Sequence, residues 1–208
     1  MLNFKVNIIS LLLFFFWFNS AGASILTPLE ASRVNVKIPY SLGTHELEAR
    51  GFTGSVDFTE NTQLIKSGSI VLEVIKLKGK KQTLVCHMYE ALSLDYEKSD
   101  FPEDHVCEDD KLPLEGKNSP VHTEIKVQLL KPVSIESNSV MLMWTIHGVT
   151  REQEVPAKIS WDKEARRLRI QSNFAIDLKD YNITVKKFLF IGVKDQVTLE
   201  LELILGEK

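Results

Sequence analysis

Leu168-Arg169-Ile170-Gln171-Ser172-Asn173-Phe174-Ala175-Ile176-Asp177-Leu178 sets an apolar side chain at every second position, with Ser172 the one interruption on that parity. Val197-Thr198-Leu199-Glu200-Leu201-Glu202-Leu203-Ile204-Leu205 repeats the arrangement near the C-terminus. Successive side chains of a strand point to opposite faces, so each stretch reads as a long strand with one greasy face. Val140, Leu142, Trp144 and Ile146 form such a face just upstream, with Met141, Met143, Thr145 and His147 on the other. Val155, Ala157, Ile159 and Trp161 alternate in turn up to Asp162-Lys163-Glu164-Ala165, which reads as a hairpin turn into the Leu168 strand. The chain is therefore mainly β, and its large apolar face must be hidden in a core or against a lipid.

The N-terminal half carries the same signal in shorter pieces. Val34, Val36 and Ile38 alternate with polar residues in a first strand that Pro39 is expected to end. Leu47 and Ala49, then Phe52, Val56 and Phe58, suggest two more strands bent at Gly51 and Gly54, since glycine within a strand marks a bulge or sharp bend. Ile70 to Leu77 is apolar on both parities and reads as a central strand. The period then changes. Leu84, Met88 and Leu92 recur every four residues, which predicts a helix of about three turns over Thr83 to Asp95. Its Met88 and Tyr89 are expected to pack on a sheet or cap a barrel mouth. Tyr96 to Val121 is polar, acidic and broken by Pro102, Pro113 and Pro120, and strands resume at Ile125, Val127 and Leu129.

An apolar run from Ile8 to Phe18, with Lys5 before it and Ala21-Gly22-Ala23 after it, has the form of a secretory signal peptide cut after Ala23. The run is shorter than the roughly 20 residues that span a bilayer, so an uncleaved anchor is the weaker reading. Residues 1–23 are thus a leader, and 24–208 form one domain of a size that supports a single core. A net charge of -3, with basic residues dispersed among acidic ones, argues against a nucleic-acid partner. The cluster Lys76, Lys78, Lys80 and Lys81 reads as a solvated hairpin end.

Cys86 and Cys107 are the only cysteines, and export would carry both into an oxidising compartment. A disulfide between them would close a loop of about 20 residues and stabilise the fold by on the order of 3 kcal/mol. The competing reading is a metal site with His87 and His105, but neighbouring Cys86 and His87 on a helix diverge by about 100°. No metal is expected. There is also no G-x-S-x-G, H-E-x-x-H, P-loop or dinucleotide fingerprint, so an enzyme is not expected. His45, His105 and His122 with Asp104 and Asp109 offer side chains for a loop-based hydrolytic site, yet nothing in their spacing fixes a geometry. His147, beside Gly148, fits a strand-end turn better than a catalytic role.

About eight or more antiparallel strands with one apolar face fit a closed up-and-down barrel with one short helix near one end, because closure removes exposed edges. The residues also carry a family resemblance. Trp144-Thr145-Ile146-His147-Gly148-Val149-Thr150-Arg151 resembles the Leu-Thr-Leu-His-Gly-Val-Thr-Lys signature of the YceI-like family. Val155-Pro156, Asn173 to Asp177 with Tyr181-Asn182-Ile183, and Val193-Lys194-Asp195-Gln196-Val197 follow in that family's order. Phe52 to Val56 resembles its glycine-containing second hairpin, and Met88, Leu92 and Phe101-Pro102 its helix and following loop. The resemblance covers most of the mature chain. It implies an exported, lipocalin-like antiparallel barrel whose lumen holds a long apolar chain, typically a polyisoprenoid.

On this reading the protein sequesters or carries a hydrophobic tail and leaves the polar head at the mouth. Its partner is a lipid, with a transient membrane-surface contact in keeping with that role and no other cofactor. The expected lumen residues are Phe52, Val56, Phe58, Leu142, Trp144, Ile146, Phe174, Ile176, Leu199 and Leu201. An eight-stranded barrel is just wide enough to be filled by side chains or to hold one slim ligand. The alternative is therefore a filled barrel that docks a periplasmic partner. The leader fits a bacterial periplasm, with secretion as the second choice. The sequence sets neither the oligomeric state nor the identity of the bound chain.

Overall fold

The computed structural model describes residues 23–80, 85, 88, 122–183 and 194–207. In chain order the elements are β1 (Ala23–Pro28), β2 (Arg33–Tyr40), β3 (Gly43–Ala49), β4 (Thr53–Thr59), β5 (Leu64–Glu73), a 3-10 turn (Val74–Lys76) and β6 (Leu77–Gly79). They continue as β7 (Glu124–Leu129), β8 (Val133–Ser134), β9 (Ser139–Ile146), β10 (Val149–Pro156), β11 (Lys158–Asp162), β12 (Arg167–Asp177), a second 3-10 turn (Leu178–Tyr181) and β13 (Gln196–Gly206).

The alternating stretches of the C-terminal half fold as read. β12 and β13 pair antiparallel from Arg167↔Gly206 to Asp177↔Gln196, with Leu168 opposite Leu205 and Phe174 opposite Leu199. β9 and β10 form a hairpin around His147 and Gly148, whose φ values of 50° and 71° define a two-residue turn with both residues left-handed. Such a turn matches the right-handed twist of the strands it joins, and glycine carries the second position without steric cost. Asp162 closes the next hairpin by accepting from the backbone N–H groups of Glu164 and Ala165.

Several boundaries differ from the sequence reading for local reasons. Pro39 does not end its strand, because β2 runs on to Tyr40 opposite Gly43. The single strand expected over Ile70 to Leu77 is broken by the 3-10 turn at Val74–Lys76. Lys76 ends that turn and Lys78 lies within β6, while Lys81 of the same basic cluster lies outside the described residues. Val155 to Trp161 divides at Ala157, whose N–H donates to Asn138 O at 2.9 Å as the chain leaves the ladder of β9 for that of β12. β1 has no counterpart in the sequence reading. Its first residue, Ala23, pairs with Thr59, so a cut after Ala23 would remove the first residue of that strand. Of the helix expected over Thr83 to Asp95, Val85 and Met88 are described and helical.

The closed barrel of about eight strands is corrected to an unclosed sheet of 13 strands among the described residues. Its hydrogen-bonded path runs β10-β9-β7-β5-β4-β1-β13-β2-β3-β6, with β12 on the far edge of β13 carrying β11, and β8 on β5. The sheet curls so that β10 comes alongside β12, but no backbone ladder joins them. Instead Gln153 Nε2 donates to Ala175 O (3.0 Å) and Ser172 Oγ donates to Pro156 O (2.5 Å). Pro156 has no N–H to offer a ladder, as expected for proline at a strand edge.

Candidate functional site

The inward face of this sheet encloses an apolar cavity of about 170 Å³ to which β2, β3, β4, β5, β7, β9, β12 and β13 all contribute. Among the described residues the wall exposes no polar atom to it. Its one hydroxyl-bearing residue, Ser172, is engaged with Pro156 O across the seam. The sequence-expected residues Phe52, Val56, Leu142, Trp144, Ile146, Phe174, Ile176, Leu199 and Leu201 all stand on this wall. Trp144 and Phe174 face each other across β9 and β12 with ring centroids 5.3 Å apart and planes tilted by 46°. Phe52, Leu142 and Leu201 face inward yet keep accessible surface, as side chains beside a void must.

Phe58 is the exception among the expected residues. It shares the parity of Val56 but lies beyond the cavity, fully buried, with its ring 4.8 Å from that of Trp161. Leu26, Leu168 and Leu205 are equally inaccessible and likewise lie off the cavity wall. These side chains fill the end of the fold where β1, β4, β11, β12 and β13 meet. The β4–β5 ladder shifts register between Asp57 and Phe58, so the alternation of β4 alone does not report where the lumen stops.

Sequence reasoning also passed over part of the wall. Val36, Ile125, Val127, Leu129, Ile170 and Leu203 line the cavity, and all were legible as apolar members of alternating strands. Met88 reaches the same wall from the helical segment, in line with the expectation that it packs on the sheet. The described residues thus leave a void within the interior. At the end opposite Phe58, the second 3-10 turn buries Leu178 and Tyr181, with Ile183 just after it, and Leu178 lines the cavity. Burial pushes the Tyr181 phenol above its ordinary pKa, and the Asp180 carboxylate adds to the shift.

Two histidines, His122 and His147, meet at this end. His147 Nδ1 lies 3.2 Å from Tyr181 O. A carbonyl can only accept, so Nδ1 is the donor of this contact, while the buried Nε2 has no hydrogen-bond partner among the described residues. The ring of His122 meets His147 edge-on, with centroids 4.7 Å apart. No group of three or more His, Cys, Asp or Glu residues placed to hold a metal occurs among the described residues. Cys86 and Cys107, and the loop residues His105, Asp104 and Asp109, lie outside the described residues.

The outer face is polar, and several of its charges are paired. Glu202 takes Arg33 at 2.7 Å and Arg169, and Glu200 takes Lys37 at 2.5 Å. Hydrogen bonding from Arg169 is the main cause that holds the Glu202 carboxyl below the usual carboxylate range. At the filled end Arg166 bridges Glu207 (2.5 Å) and Glu60 (3.3 Å), and its guanidinium carbon lies 5.9 Å from the centroid of Trp161.

The model of the YceI-like domain matches residues 27–205. The chain belongs to the YceI-like family. That match takes in the His147-Gly148 turn, the cavity-forming strands and the seam. Among solved structures, Burkholderia cenocepacia BcnA is similar at a TM-score of 0.59 and 13% identity, over 83% of this chain and 95% of that one. A polyisoprenoid binding domain from Saccharophagus degradans, implicated in plant cell wall breakdown, is similar at 0.57 and 10% identity, over 90% and 100%. The Campylobacter jejuni YCEI protein follows at 0.53 and 15%, over 78% and 84%. At these identities the likeness is one of fold. No curated protein matches the chain in sequence.

Proposed function

We propose that this YceI-like protein is a non-enzymatic carrier in the bacterial periplasm that sequesters a long apolar chain, of the polyisoprenoid class, in the cavity. The observation that supports this reading is a concave wall on which the described residues expose no polar atom. Water gains nothing there, and an apolar cavity of about 150 Å³ is known to stay dry and take up benzene instead. A cavity of about 170 Å³ is narrow for a drug-sized ligand, which needs roughly 300 Å³ or more. It suits a slim aliphatic chain, with the half-buried Leu129, Leu142 and Leu201 giving way as the chain lengthens. Each CH2 removed from water contributes about 0.8 kcal/mol before ordering costs. Affinity then grows with chain length without any hydrogen bond. The polyisoprenoid binding domain of S. degradans has the same fold, which agrees with this ligand class.

The test is native mass spectrometry of the protein purified from its own cell envelope, with organic extraction of what dissociates. A stoichiometric apolar adduct of isoprenoid mass is expected. A clean apo mass, unchanged after incubation with polyisoprenoids and fatty acids, would overturn the proposal.

A further inference from the structure

The seam between β10 and β12 is the one place among the described residues where two neighbouring wall strands meet without a ladder. Ala157, Ser172 and Leu201 line the inner cavity and also an open polar groove on the outer face. Ala157 and Ser172 are small, so the wall is thin here, and the Ser172 Oγ to Pro156 O hydrogen bond is what clasps it. Gln153 and Ala175 make the second clasp. Breaking two side-chain hydrogen bonds costs far less than parting a ladder, since each contributes roughly 0.5–1.5 kcal/mol net.

The groove outside this seam has a distinct chemistry. Asn35, Glu200 and Asn173 form one cross-strand row over β2, β13 and β12, and Arg33, Glu202 and Gln171 form the next. Both carboxylates are spent on cations, as is Arg33. The carboxamides of Asn35, Gln171 and Asn173 line the groove, with Asn138 at its border, and among the described residues none of them is engaged in a side-chain hydrogen bond. A carboxamide both donates and accepts, and four of them around paired charges suit a neutral group rich in hydroxyls. Arg33 and Lys158 balance Glu200 and Glu202 along the groove, so its lining carries no net charge for an ionic head to answer.

We propose that the β10–β12 seam is a side entrance to the lumen, and that the groove outside it receives the uncharged, polyhydroxylated head of an amphiphile whose apolar tail lies in the cavity. This rests on the carrier reading above but moves the head from the end of the barrel to its side. The probes are 1-dodecanol, n-dodecyl glucoside and dodecanoate, each below its aggregation concentration, titrated by calorimetry into the full mature chain. The glucoside is expected to bind at least ten-fold more tightly than the alcohol. In the Asn35→Ala, Asn173→Ala double variant its affinity should fall to that of the alcohol. Both substitutions are on the outer face, and folding is checked by circular dichroism. Equal binding of glucoside and alcohol, tightest binding of the carboxylate, or a parallel loss of both ligands in the double variant would overturn the groove. Failure of all three probes to bind would overturn the carrier reading with it. Stopped-flow entry of dodecanol should quicken several-fold in Ser172→Ala, and an unchanged rate would overturn the side entrance.

Discussion

The two ends of β4 and β12 are written in the same alternating code and do opposite things. Where β4 and β12 meet β1, β11 and β13, Phe58, Leu26, Leu168 and Leu205 interlock until none retains accessible surface. Six residues away in sequence from Phe58 and from Leu168, Phe52 and Phe174 border empty space, joined there by Trp144 of β9. Residues of one hydrophobicity and one parity thus serve as plug and as wall. The filled end brings the Phe58 ring onto Trp161 and lays Arg166 over the outside, so aromatic area is buried from both sides. At the cavity, the inward side chains of the curled sheet stop short of meeting one another. Packing is a property of the facing set, not of each residue, which is why cores close to crystal density can adjoin a void.

The sharpest way to break the comparison is to truncate one residue on each side of it. Phe58→Ala should cost about 3–5 kcal/mol of unfolding free energy, measured by urea denaturation, because the plug has no room to collapse. Leu142→Ala should cost about 2 kcal/mol, at the low end for a leucine, because the lost side chain already borders space. If the two losses were equal, the distinction between plug and wall would fail. Filling the void sharpens the contrast from the other side. Leu201→Phe should change stability by less than about 1.5 kcal/mol, yet lower uptake of a polyprenol at least ten-fold in a fluorescence displacement assay.

The smallest expected effect lies on the outer face. Glu202 has a depressed folded pKa, so its contribution to stability is complete above its unfolded value of about 4.3 and is lost as pH falls through the lower folded value. The melting temperature of the wild type should therefore fall more steeply on acidification below about pH 4.3 than that of Glu202→Gln. Parallel curves would show that the Arg169 and Arg33 contacts hold no net stability.

Much of this division was legible in advance. Trp144, Ile146, Phe174, Ile176, Leu199 and Leu201 reach the cavity wall because strand parity is set by backbone geometry, which every residue obeys. The turn at His147 and Gly148 followed from glycine's freedom at positive φ. Phe58 could not be placed the same way. Its distance along the barrel axis depends on a register shift between β4 and β5 that only the partner strand reveals. The seam was equally hidden, since Pro156 marks an edge only once β12 is known to lie beside it.

Composition and alternation by themselves determined a mainly β, antiparallel chain with one continuous apolar face, because the period-2 geometry of a strand converts sequence directly into sidedness. Tertiary structure alone decided that the face curls, among the described residues, into 13 unclosed strands, that one end is plugged while a void remains in the middle, and that the wall is clasped by side chains at β10 and β12. Those outcomes depend on pairings between residues far apart in the chain and on the volume their side chains jointly fill, quantities that belong to no single segment.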